Sequence, residues 1–265
     1  MINFPSSYQQ ALIASSEASK VIIEFYEKGF SSELKSDGSP VTEADLASSK
    51  VIHHYLKETQ IPILGEESVH PDFEIRKNWK KNWCVDPLDG TKEFIKKNGE
   101  FVVCIALIEN NKSIFGVIAS PTEKKIIFGG EGIGAYTCHF SDIHLENKWI
   151  KLSPKKHKND PVVVIGSRSY HTPASKEFMD ELNSNNSNVF FRQKGSAMKF
   201  FDLALGEADI YPRFAPTMEW DIAAGHAILR ELGGEIYDMD LKTPLVYNKE
   251  NLLNPHFIAK TKPML

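Results

Sequence analysis

Asp86-Pro87-Leu88-Asp89-Gly90-Thr91 is the stretch of this chain whose residue types and spacing could most directly do chemistry. It follows an apolar segment, Trp83-Cys84-Val85, that reads as a strand and delivers two carboxylates at its exit. Pro87 fixes one backbone torsion between them, and Gly90 permits a tight bend. Such a turn can gather Asp86, Asp89 and the Leu88 carbonyl around one point. An all-oxygen set of that kind suits Mg²⁺, a hard cation. A plain β-turn without metal is the simpler reading of this stretch on its own. Other acids have the same double character. Gly65-Glu66-Glu67-Ser68 closes another short apolar strand, where Glu66 either reaches the same sheet edge or sits in a solvated turn. Asp221 opens an apolar helix and Asp45 stands three residues after Thr42, positions that also suit simple helix caps. Acids at strand exits and helix entries can converge at one sheet edge, where α/β proteins place their ligands.

The elements that must position these acids follow from periodicity and turn residues. A helix starting at Ser6 or Ser7, with Leu12, Val21, Ile22 and Phe25 on one face, stops at Gly29. Lys35-Ser36-Asp37-Gly38-Ser39-Pro40 is turn chemistry, and a second helix runs over 43–57 behind a Thr42 cap. Short strands at 61–64 and 83–85 precede a β-meander over 101–108, 113–119, 125–128 and 133–137. Asn110-Asn111-Lys112 is a hairpin signal within it. Gly129-Gly130-Glu131-Gly132 opens no helix with a GxGxxG pattern, which argues against a dinucleotide fold. Residues 153–161 are polar, charged and bracketed by Pro154 and Pro161, and mark the domain boundary. Residues 1–153 then form an α+β unit with most of the acids. Residues 154–265 form an α/β unit in which strands at 162–166, 189–192, 208–211 and 234–237 alternate with helices at 172–182, 196–205 and 220–232.

Composition narrows the classes. Lys and Arg number 31 against 35 Asp and Glu in 265 residues, a net charge of −4, which argues against a nucleic-acid coat protein. No apolar run approaches the ~18 residues needed to span a bilayer, and the N-terminus lacks the basic start of a signal peptide. Cys84, Cys104 and Cys138 form no CxxC pair and read as buried thiols. The expectation is a soluble cytoplasmic protein, with peripheral attachment to the cytoplasmic face of the inner membrane as the alternative.

Three segments resemble the metal motifs of the inositol monophosphatase superfamily: Gly65-Glu66-Glu67, Asp86-Pro87-Leu88-Asp89-Gly90-Thr91 and Trp220-Asp221-Ile222-Ala223-Ala224-Gly225. That superfamily holds magnesium-dependent, lithium-sensitive sugar and nucleotide phosphatases. Five further segments are similar to its bacterial 3′(2′),5′-bisphosphate nucleotidases, one of them Lys97-Asn98-Gly99-Glu100-Phe101. The others are Ser39-Pro40-Val41-Thr42-Glu43-Ala44-Asp45, Asp89-Gly90-Thr91-Lys92-Glu93-Phe94-Ile95, Gly195-Ser196-Ala197-Met198-Lys199-Phe200 and Tyr211-Pro212-Arg213-Phe214. The resemblance spans about residues 10–258. It implies a two-domain layered α-β-α-β-α sandwich of the inositol monophosphatase and fructose-1,6-bisphosphatase type. It also implies two or three Mg²⁺ ions held by Glu66, Asp86, the Leu88 carbonyl, Asp89 and Asp221. Asp45 and Thr91 match the family's water-activating pair, with Glu67 beside the site. Leu88, Asp89, Gly90 and Thr91, with Glu66 and Asp221, then border the phosphate to be cleaved. Gly195, Ser196, Lys199 and Arg213 match positions that hold the second phosphate and sugar, joined by His171.

The activity so implied is removal of the 3′-phosphate of adenosine 3′,5′-bisphosphate, giving AMP and phosphate and clearing a by-product of sulfate activation. The chemistry is coherent without the resemblance. A phosphate monoester repels an anionic nucleophile, and its uncatalysed hydrolysis is extremely slow. Mg²⁺ neutralises the phosphate and acidifies a water, and Asp45 acting through Thr91 orients that water. The rival enzyme reading is an inositol or sugar phosphatase. The rival outside enzymology is a nucleotide- or metal-sensing module. The expected partner is a small-molecule bisphosphate and no nucleic-acid polymer, with monomer and homodimer both open.

Overall fold

The computed structural model describes residues 4–35, 38–167, 173–185 and 188–265. Helix α1 (Ser6–Lys28) leads through a small hairpin, β1 (Ser32–Leu34) with β2 (Pro40–Thr42), into α2 (Glu43–Leu56). Next come β3 (Ile63–Gly65), the one-turn helix α3 (Phe73–Arg76), β4 (Lys81–Asp89) and the short α4 (Thr91–Ile95). Strands β5 (Val102–Glu109), β6 (Lys112–Ser120), β7 (Lys125–Gly130), β8 (Gly134–His139) and β9 (Ile150–Lys151) complete a seven-stranded sheet in chain order. Its pairs are antiparallel except β3 with β4. The turn between β5 and β6 has only two residues, Asn110 and Asn111, both at positive φ (49° and 63°). Asparagine tolerates that region, and two such residues match the twist of a tight hairpin.

Both faces of this sheet are buried, which is why β5 reads as one apolar run. Val103, Ile105 and Leu107 point into a core shared with Leu12 and Ile22 of α1 and Ile52 and Leu56 of α2. Cys104, Ala106 and Ile108 point to the opposite side. There they meet α6 (Lys199–Ala204) and α7 (Glu219–Glu231), which follow β10 (Val162–Gly166), α5 (Pro173–Asn185) and β11 (Val189–Gln193) in the chain. Strands β12 (Ile210–Arg213), β13 (Glu235–Asp238) and β14 (Phe257–Lys260) finish a second sheet. Its order is β11-β10-β12-β14-β13. Val163, Ile165 and Tyr211 of this sheet pack on α6 and α7, whereas Val162, Ile210 and Ile258 pack on Phe178 and Leu182 of α5. The layers are therefore α1/α2, sheet, α6/α7, sheet and α5, the sandwich expected.

Helix α7 lies very close to the first sheet. A Cβ added to Gly116 of β6 would stand 2.1 Å from the Ala224 carbonyl oxygen, and one added to Gly225 would stand 2.2 Å from the Phe200 ring of α6. The helix is thus wedged between β6 and α6 through two glycines, and the Ser113 hydroxyl adds a 2.7 Å hydrogen bond to the Ala223 carbonyl.

Two expectations shift. The helix read over 196–205 is shorter because Ser196 takes a left-handed φ of 47°, so α6 begins only at Lys199. Strand β14, which splits β12 from β13, has four residues and gave no periodic signal. Cys84, Cys104 and Cys138 are buried and unpaired, as read. Among the described residues no helix is long and apolar enough to cross a membrane.

Candidate active site

The acids converge. Strand β4 pairs regularly with β5 as far as Asp86↔Cys104, then shifts register before Asp89↔Val102. That bulge turns both carboxylates toward one side. The Leu88 N–H donates to Asp86 over 3.0 Å, which fixes the first carboxylate, and the Ala197 N–H donates to Asp89. Gly90 follows at φ 99°, where a Cβ would stand 2.9 Å from the Glu100 carbonyl oxygen, so only glycine fits. From α7, Asp221 brings a third carboxylate, accepting the Met218 N–H over 2.9 Å. One oxygen from each of Asp86, Asp89 and Asp221 lies within 4.8 Å of the other two.

Glu66 stands just after β3, its N–H donating to the Val85 carbonyl of β4 over 3.1 Å. Its charge presses on all three acids and on Asp45. Burial, then Glu66, Asp89 and Asp221, push the Asp86 carboxyl well up, against the Leu88 N–H. Burial and Asp89 do the same to Asp221, against the Met218 N–H. Asp89 is pushed up by burial to about 6, held back chiefly by the Lys199 charge and the Ala197 N–H. Carboxylates raised by burial and by one another are stabilised by a shared cation of high charge. All-oxygen donors at this spacing fit a hard divalent ion.

Asp45 lies beside them on α2 and uses its two oxygens separately. Oδ2 accepts the Thr42 N–H over 2.8 Å as the helix cap, and Oδ1 accepts the Thr91 hydroxyl over 3.0 Å. Burial raises its carboxyl, against hydrogen bonds from Thr42 and Thr91. Thr91 also lies 3.3 Å from the Leu88 carbonyl. With its proton committed to Asp45, the Thr91 oxygen can accept a hydrogen bond from a water.

A cavity of about 420 Å³ opens on the other side of Asp89 and Asp221, lined also by Gly90, Ser196, Lys199 and Arg213. Lys199 is only 2% exposed. Its ammonium donates to the Ser196 carbonyl over 2.6 Å and the Lys194 carbonyl over 3.2 Å, leaving one proton for the cavity. Burial pulls its pKa down to about 8, opposed by the Asp89 charge. Arg213 donates Nε to the Ala215 carbonyl over 3.1 Å, Nη2 to the Pro216 carbonyl over 3.2 Å and Nη1 to Ser167. One N–H on each terminal nitrogen remains, which is the geometry for a bidentate oxyanion contact. The Gly195 N–H donates to Glu100 over 2.7 Å, and a Cβ there would stand 2.7 Å from Glu93 Cγ. His171 lies outside the described residues.

Three contributors escaped the sequence reading. Glu100 and Ser167 anchor Gly195 and Arg213; Glu100 lies in a segment that carries the resemblance, which implies no role for it, and Ser167 carries no signal of one. Lys35, read only as part of a turn, donates to Glu66 over 2.7 Å and to Glu67. Burial would lower its pKa, but Glu66 and Glu67 outweigh that and raise it. Glu67 is raised by burial, against Lys35.

The profile of the Inositol monophosphatase family matches residues 6–263. The chain belongs to the inositol monophosphatase family. Within the family it is 40% identical to the 3′(2′),5′-bisphosphate nucleotidase CysQ of Salmonella typhimurium over 225 residues, 84% of this chain and 86% of that protein. It is 34% identical to CysQ of Haemophilus influenzae over 255 residues, 94% of this chain and 90% of that protein. The crystal structure of CysQ from Bacteroides thetaiotaomicron, a bacterial member of the family, superposes with a TM-score of 0.86 at 41% identity and covers 98% of both chains.

Proposed function

We propose that this family member is a 3′(2′),5′-bisphosphate nucleotidase that removes the 3′-phosphate of adenosine 3′,5′-bisphosphate, yielding AMP and phosphate. In this reading it clears a by-product of sulfate activation in the cytoplasm. The observation that carries the reading is a cavity with two poles of charge in its lining: Asp89 and Asp221 of the acid cluster, beside the Asp45–Thr91 pair, and the two preset cations Lys199 and Arg213. Similarity to the CysQ proteins supports the choice of substrate.

Glu66, Asp86, the Leu88 carbonyl, Asp89 and Asp221 would hold two or three Mg²⁺. Bound there, Mg²⁺ neutralises the scissile phosphate, acidifies a water and stabilises the departing sugar oxygen. Thr91 orients the attacking water by accepting its proton in a hydrogen bond, and Asp45 fixes the Thr91 hydroxyl for that task. Lys199 and Arg213 grip the phosphate that is not cleaved, already aimed by the carbonyls they hold, so little ordering is left for substrate binding. Gly195 and Ser196 line the cavity beside that pole. Residues 1–153 carry most of the metal pole and residues 154–265 the anion pole.

The test is Mg²⁺-dependent phosphate release across adenosine 3′,5′-bisphosphate, its sulfated relative, 3′-AMP and inositol 1-phosphate. The bisphosphate should lead in kcat/KM. Leadership by inositol 1-phosphate would replace the nucleotidase reading with a sugar phosphatase, and no turnover on any of them would leave a binding module.

A further inference from the structure

Lys35 is the residue near the acids that the proposed chemistry leaves without a task. It sits just after β1, where its N–H donates to the Ser39 carbonyl over 2.8 Å and its carbonyl accepts the Gly38 N–H over 2.9 Å. The turn therefore fixes its backbone. Its side chain, 22% exposed, reaches down to Glu66 Oε1 at 2.7 Å and to Glu67, whose side chain is 8% exposed. Glu66 is the acid whose charge reaches Asp45, Asp86, Asp89 and Asp221 alike. Lys199 acts on Asp89 and, with Lys92 and Lys96, lines the cavity beside it, whereas Lys35 is held on Glu66 and Glu67.

We propose that Lys35 sets the divalent-cation affinity of the acid cluster, as a tethered cation that shares the Glu66 carboxylate and so keeps metal binding weak enough to reverse. The proposal rests on the reading of Glu66 as a metal ligand. Two cations on one carboxylate lie roughly 5 Å apart, and a unit charge repels a divalent ion at that range by about a factor of ten in binding, even with water-like screening. Glu67 also accepts from the ammonium, so Lys35 is held by two carboxylates rather than one. A lysine placed only to brace the hairpin would, when removed, loosen the site and weaken metal binding. A tethered competitor has the opposite sign, and that separates the two roles.

The experiment is a charge ladder at one position, read as Mg²⁺ affinity by calorimetric titration of the whole chain without substrate. Lys35→Arg keeps the charge and should bind Mg²⁺ within about threefold of the parent. Lys35→Gln keeps a hydrogen-bond donor without charge and should bind about tenfold tighter, and Lys35→Glu tighter again. A flat ladder, or one in which Lys35→Gln binds more weakly than the parent, overturns the proposal. Mg²⁺ binding by the parent together with a flat ladder sinks this inference alone. No Mg²⁺ binding by the parent sinks the metal reading of the acids as well.

Discussion

Gly116 lies far from the acids along the chain, yet a single methyl group there should disable them. A Cβ at this position would stand 2.1 Å from the Ala224 carbonyl oxygen and 2.7 Å from the Ala224 Cα. Relief demands that α7 and β6 part by roughly 1 Å, and backbone atoms cannot swing aside as a side-chain tip does. Retreat is blocked behind the helix, where Gly225 meets the Phe200 ring. Overpacking of this kind costs about 1–3 kcal/mol, which in a chain of this size lowers Tm by roughly 2–12 °C. The functional loss is larger. Ala224 is one turn from Asp221, so a shift of roughly 1 Å carries that carboxylate away from Asp86 and Asp89, and displacements of that size cost about 10²-fold in rate. Gly116→Ala is assayed by thermal melting and by kcat as a function of Mg²⁺. A Tm within about 1 °C of the parent with unchanged kcat would refute both the wedge and its link to Asp221.

Thr91→Ala should lower kcat by about 10²-fold or more while moving KM little, since the hydroxyl positions water rather than substrate; steady-state kinetics decides, and an unchanged kcat removes Thr91 from the reaction. The double variant Lys199→Ala/Arg213→Ala should lose roughly 30- to 4000-fold in kcat/KM on the bisphosphate, from ~2–5 kcal/mol of phosphate binding. Activity on 3′-AMP should largely survive, and equal losses on both substrates would show that these cations do not read the second phosphate. Lys199, pulled down to about 8 by burial, is charged below that pH and neutral above it. A profile of kcat/KM for the bisphosphate should therefore fall above about pH 8, while kcat, measured with the phosphate already against the ammonium, stays flatter; no fall by about pH 9.5 counts against the assignment.

The acids were legible because each announces itself locally: a carboxylate beside a proline, a glycine or a helix start. Their convergence is a tertiary fact, and for Asp45 the sequence left a choice between cap and site. In the structure the two readings are compatible, because a carboxylate has two oxygens. Asp45 caps with Oδ2 and meets Thr91 with Oδ1. Periodicity found α1, α2 and the meander because each element repeats its pattern over several turns or pairs. It failed at the hairpin of β1 and β2, whose strands have three residues each, and at β14 with four. Lys35 was hidden for another reason. A lysine in a turn carries no mark of the carboxylates it will meet 31 and 32 residues later. The short α6 turned on Ser196, whose left-handed backbone is braced by the ammonium of a residue three positions on, a bond no local propensity encodes.

The order of the second sheet bears on how the molecule is made. Strands β12 and β13 flank β14 and are not paired with each other, so the fourth strand of that sheet is translated after both of its neighbours. Until residues 257–260 emerge from the ribosome, β12 and β13 each offer an edge with unanswered backbone groups. Such a slot accepts any extended segment that fits, including one from another nascent chain. The acids, all of which precede it in the chain, thus belong to a molecule whose second sheet closes only after the last of them has been made. Faulty copies should arise less from errors at the acids than from a stranger's strand lodged between β12 and β13.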